Sequence, residues 1–192
     1  MSEAQLPGGI EIRSSTAELR STGNGRTLAG HAALWNVVTR IGGPQGFREV
    51  ILPNAFQRSL RSGQDLVALL DHDPARLLGR TRNGTLSLRE DDRGLAFELT
   101  VPETSYGNDV LALARSQSLG GMSFGFTIDK ADKAAERWVG DLRELRAVTL
   151  AEISIVAAWP AYPGTTVNAR SRLIASPGAV AALRRRRQME ML

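Results

Sequence analysis

Alternation of apolar and polar residues with a period of two is the feature that most restricts how this chain can fold. Leu86 and Leu88 alternate with polar residues, the sequence EDDRG (90–94) interrupts them, and alternation resumes from Leu95 to Val101. Successive side chains of a strand point to opposite faces, so the pattern predicts two half-buried strands joined by a turn. Comparable apolar runs recur along the chain, and together they predict about seven strands.

Two segments instead have the signals of helices. One helix is predicted to begin at Asn54 and to end at Gly63, and a second lies in 105–121 with Asn108 or Asp109 as its N-cap. The strands follow one another largely in hairpin order. The sequence therefore predicts a mainly β (α+β) fold, an antiparallel sheet closed or folded upon itself with the helices outside.

The length and composition predict one folded domain with two extensions. The chain has 192 residues, of which 42% are hydrophobic and 23% charged, as is usual for globular domains. Residues 1–24 are predicted to be a flexible N-terminal lead-in, 25–170 the folded domain, and 171–192 a basic C-terminal tail that is a candidate for removal. The sequence contains neither an apolar run long enough to span a membrane nor a signal peptide, which predicts a cytoplasmic protein.

Charge and residue usage exclude several classes of site. The chain has no cysteine and only two histidines, so disulfides, thiolate zinc sites and a cysteine nucleophile are excluded and a histidine-rich metal site is disfavoured. The net charge of +4 equals the contribution of Arg184–Arg187, and the remaining 20 basic residues balance 20 acidic ones. A nucleic-acid partner is therefore not expected of the folded domain.

The stretch SLGGMSFGFTI (118–128) holds a candidate nucleophile, Ser123, between glycines. Gly120 and Gly121 can adopt positive φ and leave backbone N–H groups open to an oxyanion, and Gly125 keeps side-chain bulk away. Equally, Ser123 could be a small residue where the chain enters a sheet. A serine hydroxyl becomes a nucleophile at neutral pH only beside a base that is itself held in one tautomer.

His72 is the better candidate for that base. It follows the apolar run DLVALL, stands between Asp71 and Asp73, and precedes Pro74, at which the chain is expected to turn. Functional groups concentrate at such strand ends, although DHDP would also suit a solvated turn. His31 lies within an apolar strand, where a packed or edge imidazole is expected.

Glu152 interrupts the apolar strand TLAEISIVAAW, where a carboxylate needs a partner. That partner is predicted to be either an arginine or an imidazole that Glu152 orients. Ser154, two residues later, should share the face of Glu152, as a neighbour in the site or as a rival nucleophile.

Four blocks of the sequence resemble, in order, the prohead proteases of tailed phages. They are REVILPNAFQRSL (48–60), LVALLDHDPARLLGRT (66–81), LGGMSFGF (119–126) and LAEISIVAAWPAYPGTTV (150–167). The resemblance is to the HK97-type capsid maturation proteases and covers Gly30 to Val167. These are serine endopeptidases related in fold to the herpesvirus assemblins, so it implies a β-barrel core ringed by helices.

The resemblance also implies roles for particular residues. Ser123 would be the nucleophile and His72 its general base, with Glu152 chosen as the acid that orients His72. The herpesvirus relatives use a second histidine in this third role, but no histidine follows His72 in this chain. Asp71 and Asp73 are the alternatives for the role.

For partners, the resemblance implies scaffold segments, the removable part of the capsid protein precursor, and the protease itself as substrates. The resemblance also allows for self-association, and it places the expected site of action in the immature prohead within the bacterial host. It implies neither a metal nor an organic cofactor. The tail ending in Arg184–Arg187 could be a solvated end, a self-cleaved extension or a basic hook for acidic scaffold. A non-enzymatic capsid assembly or scaffold protein is the alternative, although scaffolds tend to be long, helical and polar.

Overall fold

Strands are the main secondary structure of the computed structural model, which describes residues 9–15, 20–22 and 25–158. These ranges contain thirteen strands, which are numbered here in chain order. They are β1 Glu11–Ser15, β2 Arg20–Thr22, β3 Thr27–Leu34, β4 Thr39–Ile41, β5 Phe47–Ile51, β6 Val67–Leu70, β7 Asp73–Arg80, β8 Leu86–Glu90, β9 Gly94–Thr100, β10 Gly121–Thr127, β11 Glu136–Val139, β12 Leu142–Leu145 and β13 Thr149–Val156. The helices there are α1 Gln57–Arg61 and α2 Ser105–Arg115, with a single 3₁₀ turn at Thr81–Asn83. None of these helices is long and apolar enough to cross a membrane.

The strands form three open sheets. The prediction of a mainly β fold is therefore confirmed, whereas the prediction of a closed barrel is wrong for the described residues. The strand orders are β1-β10-β13-β6-β7, β11-β12-β5-β4 and β2-β3-β9-β8. A barrel requires the outermost strands to pair with each other, and the outermost strands of these sheets do not pair within the described residues. Nor is the pairing entirely antiparallel, since β12 runs parallel to β5 and β13 runs parallel to β6.

A single core accounts for this arrangement, because all three sheets turn an apolar face towards it. Leu28 and Leu99 contribute from the third sheet, Phe124 and Ile153 from the first, and Leu145 from the second. Filling one core from three faces buries apolar residues from every sheet without closing any of them.

Aromatic rings join the loop before α1 to the strand that contains Ser123. The ring of Phe56 lies 5.4 Å from that of Phe124, edge to face, and 5.7 Å from that of Trp35. Phe56 and Phe124 are fully buried, and edge-to-face pairs add stability beyond the area they bury. The core face of β10 is thereby fixed against its surroundings.

Several local predictions are confirmed and others are wrong in detail. The β8–β9 hairpin forms as expected, and its turn is closed by a hydrogen bond from the Asp91 N–H to the Gly94 carbonyl. Helix α2 is capped by Thr104 rather than by Asn108 or Asp109, because its hydroxyl accepts from the Gly107 N–H.

Helix α1 is shorter than predicted and begins after Asn54. Asn54 has a φ of 71°, outside the helical region, so the helix starts only at Gln57. Gly63, with a φ of 72°, follows the end of the helix as expected.

The chain also turns before Pro74 and not at it. Pro74 lies inside β7, which is an edge strand, one of the few places in a sheet where proline is tolerated. The predicted lead-in contains β1 and β2, while the predicted tail (171–192) lies outside the described residues.

Candidate active site

The strand β10 divides its side chains between the core and a second, polar face. Met122, Phe124 and Phe126 belong to the core, whereas Ser123 and Gly125 alternate with them. A strand has a period of two, so three large apolar residues on one face direct the small residues to the other. Ser123 is nevertheless completely buried, because strands flank it on both sides.

The neighbouring strand β13 places two more polar residues on that face. Its register pairs Ser154 with Ser123 and Glu152 with Gly125. The register then shifts by one residue: Leu150 pairs with Phe126, and Ala151 has no partner residue on β10. This bulge lets Leu150 enter the core although Glu152, two residues later, faces the polar side.

A tight turn between β6 and β7 brings His72 to the same place. Asp71 and His72 have φ values of 53° and 59°, as the two central residues of a type I′ hairpin turn require. Glycine usually fills the second of these positions, and a histidine there costs about 1–2 kcal/mol. Two contacts hold the turn: the His72 N–H donates to Ser154 Oγ at 3.2 Å, and Asp71 Oδ1 accepts from the Ala157 N–H at 2.9 Å.

These elements bring together the three residues that the sequence singled out. Nε2 of His72 lies 2.8 Å from Ser123 Oγ, and Nδ1 lies 2.8 Å from Glu152 Oε1. The side chains of His72 and Glu152 are 20% and 12% exposed, so solvent still reaches the imidazole. A hydroxyl, an imidazole and a carboxylate in line can pass a proton from the first to the second while the third holds the ring.

The second carboxylate oxygen of Glu152 is bound as well. Ser154 Oγ donates to Glu152 Oε2 at 2.6 Å while it accepts the backbone N–H of His72. The Ser154 hydroxyl therefore contacts both Glu152 and His72, as a neighbour in the site would. Among the described residues, the partners of Glu152 are an imidazole and a hydroxyl, and not the arginine that was the other possibility.

The two aspartates beside His72 point to other partners. Asp73 Oδ1 accepts from the Ala75 N–H, and both Asp71 and Asp73 form ion pairs with Arg76. His31 lies apart in β3, where its Nε2 contacts the Asp91 carboxylate at 2.9 Å.

The glycines around Ser123 differ in what they do. Gly121 has a φ of 142°, but the Gly120 N–H donates to the Val156 carbonyl at 2.8 Å and is not free for an oxyanion. A Cβ on Gly125 would lie 2.8 Å from Glu152 Oε1. Gly125 therefore makes room for the carboxylate, a role that sequence reasoning did not give it.

Sequence reasoning also missed β1, which completes the surroundings of Ser123. The Ser123 hydroxyl donates to the Arg13 carbonyl at 2.8 Å, and Ser14 Oγ donates to Ser123 Oγ at 3.1 Å. The alternation in EIRSS (11–15) is the signal that could have revealed a strand.

A buried group of charges anchors β1 to the second sheet. The Arg13 guanidinium contacts Glu49 and Glu11, and that of Arg143 contacts Glu11, Glu49 and Glu136. Burial alone would raise the pKa of Glu11, but the hydrogen bond and charge of Arg143, with those of Arg13, outweigh it and hold that pKa below its ordinary value. Burial alone would lower the pKa of Arg13, and Glu49 and Glu11 instead raise it.

Comparison with known proteins gives one family. The sequence profile of the caudovirus prohead serine proteases matches residues 11–177, a range that includes β1 and every residue of the site. No curated protein sequence and no solved structure shows a significant similarity to the chain. The match extends over most of the chain, and the chain therefore belongs to the caudovirus prohead serine protease family.

Proposed function

We propose that this chain is a serine endopeptidase of the phage prohead in which Ser123 is the nucleophile, His72 the general base and Glu152 the acid that orients it. The observation that carries the proposal is the continuous line of contacts from Ser123 Oγ through both nitrogens of His72 to Glu152. Asp71 and Asp73 make no described contact with the ring, which favours Glu152 for the third role.

The geometry supports acyl transfer in two stages. Glu152 accepts the Nδ1–H of His72, which leaves Nε2 with a lone pair for the Ser123 proton. As Ser123 Oγ forms a bond to the substrate carbonyl carbon, His72 takes that proton and then delivers it to the departing amine. Water repeats the sequence, which releases the new carboxylate and restores the Ser123 hydroxyl.

Glu152 contributes more than orientation. An imidazolium forms in each transition state, and a carboxylate 2.8 Å from Nδ1 stabilises that charge. Ser154 binds the other carboxylate oxygen, and Gly125 leaves the space that the carboxylate occupies. Ser154 and Gly125 thus act as positioning residues.

The substrates follow from the family. Prohead proteases act on capsid proteins in general, and for this chain we infer scaffold segments, the removable part of the capsid precursor and the protease itself. Action inside the immature prohead and self-association are part of the same proposal. A relationship in fold to the herpesvirus assemblins stays a prediction of the sequence resemblance, as do the domain boundaries at 24 and 170.

Labelling with a fluorophosphonate probe tests the site. The probe should label wild-type protein at Ser123, and Ser123→Ala and His72→Ala should abolish labelling. His31→Ala is the matched control, because His31 also contacts a carboxylate but in a different sheet. Labelling at Ser154, or full labelling of His72→Ala, would contradict the assignment.

Co-expression with the capsid precursor tests the substrates. Mass spectrometry should find a shortened capsid protein with the wild type and the intact precursor with Ser123→Ala. The mass of the protease itself, compared between the two, shows self-cleavage. Equal masses would refute self-cleavage while leaving the capsid protein as substrate.

A further inference from the structure

The strand β1 covers the nucleophile. It forms one edge of its sheet and runs antiparallel to β10, with Ser14 directly opposite Ser123. Two of the polar contacts of the Ser123 hydroxyl, the Arg13 carbonyl and Ser14 Oγ, come from this strand of five residues. With β1 on one side and β13 on the other, Ser123 has no exposed surface.

The hydrogen of the Ser123 hydroxyl is directed away from the base by this strand. A hydroxyl carries one hydrogen and a carbonyl can only accept, so the contact with the Arg13 carbonyl uses that hydrogen. While it does so, the hydroxyl has no hydrogen left to donate to Nε2 of His72, 2.8 Å away. Proton transfer from the hydroxyl to His72 requires the opposite arrangement, and therefore the loss of the Arg13 contact.

A substrate also needs the space that β1 fills. The carbonyl carbon under attack has to approach within about 3–3.5 Å of the nucleophilic oxygen. The Arg13 carbonyl oxygen already lies 2.8 Å from Ser123 Oγ. If β1 leaves, the edge of β10 is free, and an extended peptide can add to such an edge as a new strand.

The buried charges hold β1 in this position. The Arg13 Nη2 donates to Glu49 Oε2 at 2.8 Å, and both residues are at least nine-tenths buried. Removal of one partner of a buried ion pair strongly weakens the attachment. Glu49 would keep Arg143 as a partner at 3.1 Å, so the rest of the cluster survives the loss of Arg13.

The geometry points to β1 as an intramolecular plug: it occupies the substrate position on β10, keeps Ser123 latent, and has to be displaced before another peptide chain is cleaved. The inference rests on the proposed function and adds regulation to the same site. The Arg13–Glu49 ion pair acts as the latch of the plug.

The test is the rate at which the full-length chain is labelled at Ser123 by a fluorophosphonate, followed by intact mass. Arg13→Ala removes the latch, and Ser14→Pro removes a backbone donor and locks φ within β1. Each variant should be labelled at least about tenfold faster than the wild type, as release of the covered state predicts. An unfolded protein loses labelling, so a gain cannot result from misfolding.

Arg48→Ala is the matched control. Arg48 precedes Glu49 in the same strand and pairs with Asp141 on the surface, where both side chains are about half exposed. It should be labelled at the wild-type rate. If the wild type is labelled as fast as both Arg13→Ala and Ser14→Pro, β1 is not a plug, and the proposed function stands. If Ser123 is labelled in none of the proteins, both the plug and the proposed function are refuted.

Discussion

A single methyl group added at Gly125 tests whether the position of the Glu152 carboxylate matters to the chemistry. In Gly125→Ala, the new Cβ would lie 2.8 Å from Glu152 Oε1 and 3.1 Å from Cγ2 of Ile10. That oxygen is the one that contacts His72 Nδ1. Ordinary van der Waals contact begins near 3.4 Å, so the carboxylate has to retreat by about 0.6 Å.

The size of the effect follows from this displacement. A misplacement of about 1 Å in a catalytic arrangement can cost about 100-fold in rate, so about 0.6 Å should cost about tenfold, or about 1.4 kcal/mol of transition-state stabilisation. Stability should change little. Gly125 does not have the positive φ of other glycines, and the gain of about 0.5–1 kcal/mol from replacing a strand glycine offsets the tight contact with Ile10.

The assay combines the rate of fluorophosphonate labelling at Ser123 with thermal unfolding. We expect labelling to slow about tenfold while the Tm stays within about 5 °C of the wild type. In a Glu152→Ala background no carboxylate remains to be displaced, so Gly125→Ala should then cost less than about twofold. A full tenfold loss in that background, or no loss in the wild-type background, would refute the reasoning.

Three further changes have defined outcomes. Ser154→Ala removes a hydrogen bond from the Glu152 carboxylate and should lower kcat about tenfold with KM unchanged; an effect confined to KM would contradict a positioning role. Because the Arg143 and Arg13 guanidinium groups hold the folded-state pKa of Glu11 below its ordinary value, the stabilising effect of Glu11 is present above that ordinary value and is lost as the pH falls through the lower, folded-state pKa. Urea unfolding across this acid range should therefore show a smaller loss of unfolding free energy in Glu11→Gln than in the wild type, and equal losses would speak against it. Thr104→Ala removes the cap of α2 and should lower the unfolding free energy by about 1 kcal/mol without changing the labelling rate; an unchanged free energy would show that the cap contributes nothing.

Local sequence was enough to predict several pieces of the fold, although it predicted about seven strands where the described residues have thirteen, and to single out candidate residues for the site. The β8–β9 hairpin follows from alternation and its turn residues alone. Ser154 and Glu152 lie on one face of β13 as their spacing requires, and their side chains are in contact. These features depend on the period of a strand, which is fixed by the backbone and does not depend on the rest of the molecule.

The assembly of those pieces was beyond local sequence. Hairpin order suggested antiparallel closure, yet β13 runs parallel to β6, and this pairing brings residues 72 and 152 together across 80 positions. Likewise β1 reaches Ser123 from about 110 positions away. Alternation shows which face of a strand is buried but not which strand will lie beside it.

The sequence by itself therefore determined a mainly β chain with Ser123, His72 and Glu152 as its candidate chemical groups. Only the tertiary structure decided that the sheets stay open, that Gly125 makes room for a carboxylate, and that β1 covers Ser123. The physical reason is that strand partners are selected by the burial of one shared core, to which all three sheets contribute.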